Sequence, residues 1–99
     1  MKKLARIAQV EAIGGFALRL TFTDGLVREL DLEPMLGHGV LERLREPDMF
    51  AQVMVDPVAG TVAWPNGVDL DPDVLHGDHE PAAGSGPRVL SEYRLSRTG

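Results

Sequence analysis

Residues 16–32 read FALRLTFTDGLVRELDL, and this stretch decides the fold. Every second position of its first half holds a large apolar residue: Phe16, Leu18, Leu20 and Phe22. This period of two is typical of a strand with one buried face. Thr23-Asp24-Gly25 is a turn signal, and residues 26–32 follow it with partial alternation. The stretch therefore predicts an antiparallel hairpin.

A further strand is predicted before this hairpin. Residues 4–13 are rich in isoleucine, valine and alanine and end at Gly14-Gly15, a pair that tolerates the positive φ values of a tight turn. The first 32 residues are therefore expected to form a three-stranded antiparallel meander.

Residues 40–77 add short helical segments and a second hairpin. Apolar residues spaced by three or four from Val40 predict a helical segment that Pro47 splits into two short turns. Residues 52–56 and 61–64 are β-prone runs joined by a turn, and Asp71-Pro72 is typical of a helix start. The fold class that follows is α+β, with a small antiparallel sheet, a short helical segment and a second hairpin.

The last part of the chain differs in composition. Residues 78–87 are rich in Gly, Pro, Ala and charged residues, a composition that buries too little apolar surface to offset its chain entropy. We therefore expect one domain over residues 1–77 and a flexible tail over residues 78–99.

Charge and composition exclude several classes of protein. The chain has 99 residues with 10 basic and 15 acidic side chains, so its net charge is −5, which disfavours a broad nucleic-acid-binding face. It has no cysteine for a disulfide or a thiolate metal site. No apolar run has the length of a membrane span, so we expect a cytoplasmic protein that does not bind membranes. Basic residues cluster at the two ends: Lys2, Lys3, Arg6, Arg88, Arg94 and Arg97.

Candidate sites for catalysis or metal binding are incomplete. Asp69, Asp71 and Asp73 alternate as in a calcium loop, but Val74 stands where that loop requires glycine. The histidines His76 and His79, with Asp78 between them, lie around the start of the predicted flexible tail, where no well-placed third ligand fixes a metal geometry. The serines all lie in the predicted tail, where no base is held near them. We expect no metal, no cofactor and no enzymatic activity.

Several segments together resemble a known family of short bacterial proteins. They are residues 22–25 (FTDG), 31–36 (DLEPML), 50–53 (FAQV) and, most specifically, 61–75 (TVAWPNGVDLDPDVL). The chain is thus similar to domain-of-unknown-function family 2442. The resemblance implies a small α+β domain with an antiparallel sheet and supplies no catalytic residues. It also implies a link with toxin–antitoxin-like pairs, because such proteins are often encoded beside another small protein.

These observations favour a non-enzymatic protein-protein interaction module, the neutralising partner of a toxin–antitoxin-like pair. The alternatives are a nucleic-acid-associated transcriptional regulator that uses the basic ends and, least favoured, a small metal-dependent enzyme. A homo-oligomer is left open. The partner-binding residues are expected in the one segment more specific than a turn requires: Trp64, Asn66, Asp69 and Asp71. The competing structural interpretation is that Trp64 fills the core and that the aspartates satisfy backbone N–H groups.

Overall fold

Two antiparallel sheets form the framework of the protein. A computed structural model describes residues 5–37, 39–77 and 86–95. The strands, numbered in chain order, are β1 (Ile7–Gly14), β2 (Ala17–Phe22), β3 (Leu26–Asp31), β4 (Met54–Asp56), β5 (Thr61–Ala63) and β6 (Arg88–Arg94). The larger sheet has the strand order β1-β2-β3-β6, and the smaller one pairs β4 with β5.

The helical segments are short, and proline sets the bounds of two of them. The helices α1 (Pro47–Phe50) and α2 (Pro72–His76) both begin at a proline, and 3-10 turns span Glu33–Met35 and Gly39–Arg45. Pro47 separates α1 from the preceding turn because Glu46 before it takes an extended conformation (ψ 115°). The predicted split of this helical segment is therefore confirmed.

The core lies on one face of the larger sheet. The alternating residues of β2 that the sequence assigned to a buried face are Leu18, Leu20 and Phe22, each at most 2% exposed. They pack with buried residues of the smaller sheet and the helical segments: Leu36, Leu44, Phe50, Val62, Trp64, Val68 and Leu75. The predicted α+β class, the meander, the second hairpin and the helix start at Asp71-Pro72 are all confirmed.

The prediction of a flexible tail over residues 78–99 needs a correction for Arg88–Arg94. This segment is β6, which pairs antiparallel with β3 and adds a fourth strand to the meander. Composition does not indicate it because six of its seven residues are exposed, so backbone pairing and ion pairs hold it rather than a buried face. The remaining parts of that tail, residues 78–85 and 96–99, lie outside the described residues. A domain boundary at residue 77 stays a prediction.

Candidate protein-binding surface

The structure places Trp64 in the core. Its side chain is 3% exposed, its ring lies 5.9 Å from that of Phe50, and its Nε1–H donates a 3.0 Å hydrogen bond to the Phe50 carbonyl. Phe16 completes the aromatic group with an edge-to-face contact on Phe50. This is the position that the structural interpretation of Trp64 requires, and it leaves no aromatic edge for a partner.

Asn66 and Asp71 bind backbone N–H groups of their own loop. The Asn66 Oδ1 accepts a 3.1 Å hydrogen bond from the Val68 N–H, which closes the turn after Trp64. The Asp71 Oδ1 accepts a 2.9 Å bond from the Asp73 N–H and caps α2. Both side chains therefore have a local structural role, as the sequence alternative held.

Asp69 differs from its neighbours because its carboxylate is exposed and, within the described residues, accepts no hydrogen bond. The backbone of Asp69 forms an antiparallel bridge with Ala63 on β5, and Ala63 is in turn the cross-strand partner of Met54 on β4. Because directly opposed residues of antiparallel strands point to the same face, Met54, Ala63 and Asp69 form one row. We call it the Met54–Asp69 row.

A groove of about 500 Å³ opens beside the Met54 end of this row, between β1–β2 and β4. Four apolar residues line it, Val10, Val53, Met54 and Val55, together with four polar ones, Gln9, Glu11, Arg19 and Thr21. Met54 is 48% exposed, and among the exposed large apolar residues of the described chain it is the one that lines this groove. The groove and the Met54–Asp69 row together form the candidate surface.

The polar rim of the groove is held in place by ion pairs. Arg19 donates from Nε to a carboxylate oxygen of Glu29 at 2.8 Å and from Nη1 to Glu11 on the neighbouring strand. The hydrogen bond with Glu29, together with both carboxylates' charges, raises the pKa of the Arg19 guanidinium. Arg19 is therefore engaged by a carboxylate on each side, and the three side chains together carry one net negative charge.

A second polar cluster lies where the β2–β3 turn meets the end of α2. The Asp24 Oδ2 lies 2.8 Å from the His76 Nε2 and 3.8 Å from the Arg94 Nη1, and the His76 ring packs edge-to-face on Phe22. Partial burial acts to raise the pKa of the Asp24 carboxyl, but the Leu26 N–H, His76 and Arg94 outweigh it, so the pKa lies below its ordinary value. The cluster thus ties the turn, α2 and β6 together.

We expect the charge of Asp24 to contribute stability above pH 3.8, the ordinary carboxyl value, and to lose it as the pH falls through the lowered folded-state pKa. The variant Asp24→Asn should be less stable than the wild type near neutral pH by less than about 1 kcal/mol. The difference should vanish in strong acid. Melting temperatures of both proteins across pH measure this, with the exposed Asp69→Asn as control. A difference that persists unchanged in acid would contradict the role of the charge.

The residues considered for nucleic-acid binding, metal binding or catalysis either lie apart from one another or belong to segments outside the described residues. Arg88 and Arg94 lie on β6 next to Asp31 (3.7 Å) and Asp24 (3.8 Å), so carboxylates flank both. Among residues 5–37, 39–77 and 86–95, no three side chains of His, Asp or Glu are grouped so as to hold a metal ion. Other named residues lie outside the described ranges: Lys2, Lys3, Asp78, His79, Ser85, Ser96 and Arg97.

A family model described as "Protein of unknown function (DUF2442)" matches residues 7–78, which span β1 to the end of α2. The chain belongs to this family. The match includes the groove and the Met54–Asp69 row but ends before β6. No curated protein and no solved structure matches the chain. Within the described residues, no helix has the length and apolarity needed to cross a membrane.

The sequence predicts Asp69 as a partner-binding residue, and it gives no such prediction for Met54 or the groove. A signal for Met54 exists, since Val53 and Val55 on either side of it are partly buried and the alternation places Met54 on the exposed face of a β-prone run. The groove had no local signal, because it forms where β1 packs beside β4, segments more than 40 residues apart.

Proposed function

We propose that this protein is a non-enzymatic protein-protein interaction module that binds its partner at the groove and the Met54–Asp69 row. The observation that carries the proposal is the half-exposed Met54 at the junction of the two. An apolar side chain in a concave site with a polar rim is the usual composition of a binding pocket for part of another protein.

The chemistry of the surface defines the kind of partner. The apolar lining fits a segment with one or two apolar side chains, and the Asp69 carboxylate at the far end of the row fits a basic residue beyond them. An exposed carboxylate favours such a pair by charge complementarity. As a finer proposal, the partner is a small protein and this chain is its neutralising member in a toxin–antitoxin-like pair.

The sites of the alternatives support them less well. A nucleic-acid-associated regulator needs a basic face, and the described arginines at the carboxyl end of the chain have carboxylates beside them. For the metal-dependent enzyme, the cluster to consider is that of Asp24 and His76. This cluster joins three elements of the fold and lies against Phe22, as a structural contact does. We therefore place partner binding first.

We expect Met54→Glu to abolish capture of the partner while leaving the melting temperature almost unchanged, because the new carboxylate replaces an apolar contact at an exposed position. The wild-type chain and the variant carry the same affinity tag, and proteins that copurify from the native host are identified by mass spectrometry. The matched control is Val58→Glu, an equal change at a residue 88% exposed and outside the groove. A protein retained equally by all three chains would contradict the proposed surface.

A further inference from the structure

The outer edge of β6 is a second surface that the fold leaves available. In the described part of the chain, β3 pairs with one edge of β6 and no strand pairs with the other. Large apolar side chains along this edge are about half exposed, namely Val89, Leu90, Tyr93 and Leu95. An edge of this kind is suited to pairing with another strand.

The backbone groups available for pairing follow from the register. The Leu95 N–H donates a 2.8 Å hydrogen bond to the Gly25 carbonyl, so the backbone of Leu95 faces β3. Because this direction alternates along an antiparallel strand, Ser91 and Tyr93 also face β3, and Glu92 and Arg94 direct their N–H and C=O groups outward. Any antiparallel partner strand must therefore bond to Glu92 and Arg94.

We infer that the partner at this edge is a second copy of the chain, joined through β6 with Glu92 opposite Arg94 of the other copy. The outward N–H and C=O groups of Glu92 and Arg94 can pair with those of a second copy, around a twofold axis, in three antiparallel registers. Two of these place Glu92 opposite Glu92 or Arg94 opposite Arg94, and like charges directly opposite are destabilising. The third places opposite charges at both ends and Tyr93 opposite Tyr93 between them.

The charges that flank β6 extend the same pattern. The Glu92 Oε1 lies 2.8 Å from the Arg28 Nε on β3, and the Arg94 Nη1 lies 3.8 Å from the Asp24 Oδ2. Each of these two β6 charges therefore has an opposite charge beside it in its own sheet. In the paired register Glu92 lies between Arg28 of its own copy and Arg94 of the other. Arg94 likewise lies between two carboxylates. The charges alternate in sign across the joined sheets, and the four-stranded sheet becomes a continuous sheet of eight strands.

This homodimer is separate from the proposed binding of a different protein, because β6 lies at the opposite edge of the sheet from β1 and its groove. In this register residues 91–95 of the two copies lie opposite one another. Five residues from each copy make an interface well below the standard size of about 1,600 Å². We therefore expect a dimer that forms only at high protein concentration, and its presence or absence does not decide the function of the groove.

The absence of cysteine allows a direct test of the register by disulfide formation. The register makes Tyr93 and its copy a non-hydrogen-bonded pair with Cα atoms about 4.5 Å apart, a distance that a disulfide spans. The variant Tyr93→Cys should form disulfide-linked dimers under mild oxidation. The control Ser91→Cys, on the same face, should remain monomeric because its two copies are separated by about 13 Å. Equal linkage of both variants, or of neither, would overturn the inference.

Charge reversal tests the same register without a covalent bond. Glu92→Lys alone and Arg94→Glu alone should each lose the dimer measured by sedimentation at high concentration, because each places like charges opposite one another. A mixture of the two variants restores opposite charges at both ends, so it should recover a mixed dimer. Failure of the mixture to associate while the wild type dimerises, or a wild type that stays monomeric throughout, would contradict the proposed pairing.

Discussion

Replacing Trp64 with alanine is expected to lower the free energy of unfolding by about 3–5 kcal/mol, the range for removal of a large buried aromatic side chain. Trp64 is 3% exposed and packs on Phe50, so its removal leaves a cavity among the core residues that join the two sheets. The change also leaves the buried Phe50 carbonyl without the indole N–H that it accepts. Denaturant unfolding followed by circular dichroism measures the loss.

Two further variants separate packing from hydrogen bonding at Trp64. Trp64→Phe keeps an aromatic ring but removes the N–H donor, so its destabilisation should be intermediate. Val58→Ala, at a residue 88% exposed, should change the free energy of unfolding by less than about 0.5 kcal/mol. A Trp64→Ala protein as stable as Val58→Ala would show that Trp64 is not part of the core.

Ending the chain at Gly77 is expected to leave a folded protein that is less stable by about 2 kcal/mol, the value for exposing one large aliphatic side chain. Removal of β6 uncovers Val27, which is 2% exposed and lies opposite Tyr93, and it removes the ion pair between Arg28 and Glu92. Cooperative unfolding should persist because none of the core cluster comes from β6.

A chain that ends at Leu95 is the matched control for this truncation, since it retains β6 and loses only residues 96–99. Its melting temperature should exceed that of the chain ending at Gly77. If the two truncated chains melted at the same temperature, β6 would contribute nothing to the domain. Loss of cooperative unfolding would instead show that the domain does not end at residue 77.

The elements that the sequence predicts are those whose signals are local. Leu18, Leu20 and Phe22 show their buried face by alternation, and the Asp71-Pro72 helix start shows its cap by residue type. In contrast, β6 has no buried face, and the bulge at Leu90 interrupts its alternation. Its place in the sheet depends on pairing with β3, which no local pattern reports.

The same distinction applies to the candidate surface and the polar contacts. Asp69 stood out because a turn does not require a carboxylate there, whereas Met54 becomes noticeable only when its exposure is known. Arg28 reads as an exposed strand residue, yet it lies opposite Leu20 on the core face. Its Nη1 donates to the Leu75 carbonyl, 47 residues away in sequence, and so satisfies a carbonyl at the end of α2. Contacts of that separation are properties of the assembled fold.

The central claim, that the groove and the Met54–Asp69 row bind a protein, is tested most directly by measuring affinity and stability together for Asp69→Ala. With the partner captured by the wild-type chain, we expect Kd to rise about tenfold, the effect of losing one good interface contact. The melting temperature should not change, because no described residue hydrogen-bonds to that carboxylate. Asp71→Ala is the control, and loss of its helix cap should cost about 1 kcal/mol of stability with unchanged affinity of the folded protein. An Asp69→Ala protein that melts earlier but binds as tightly as the wild type would contradict the claim.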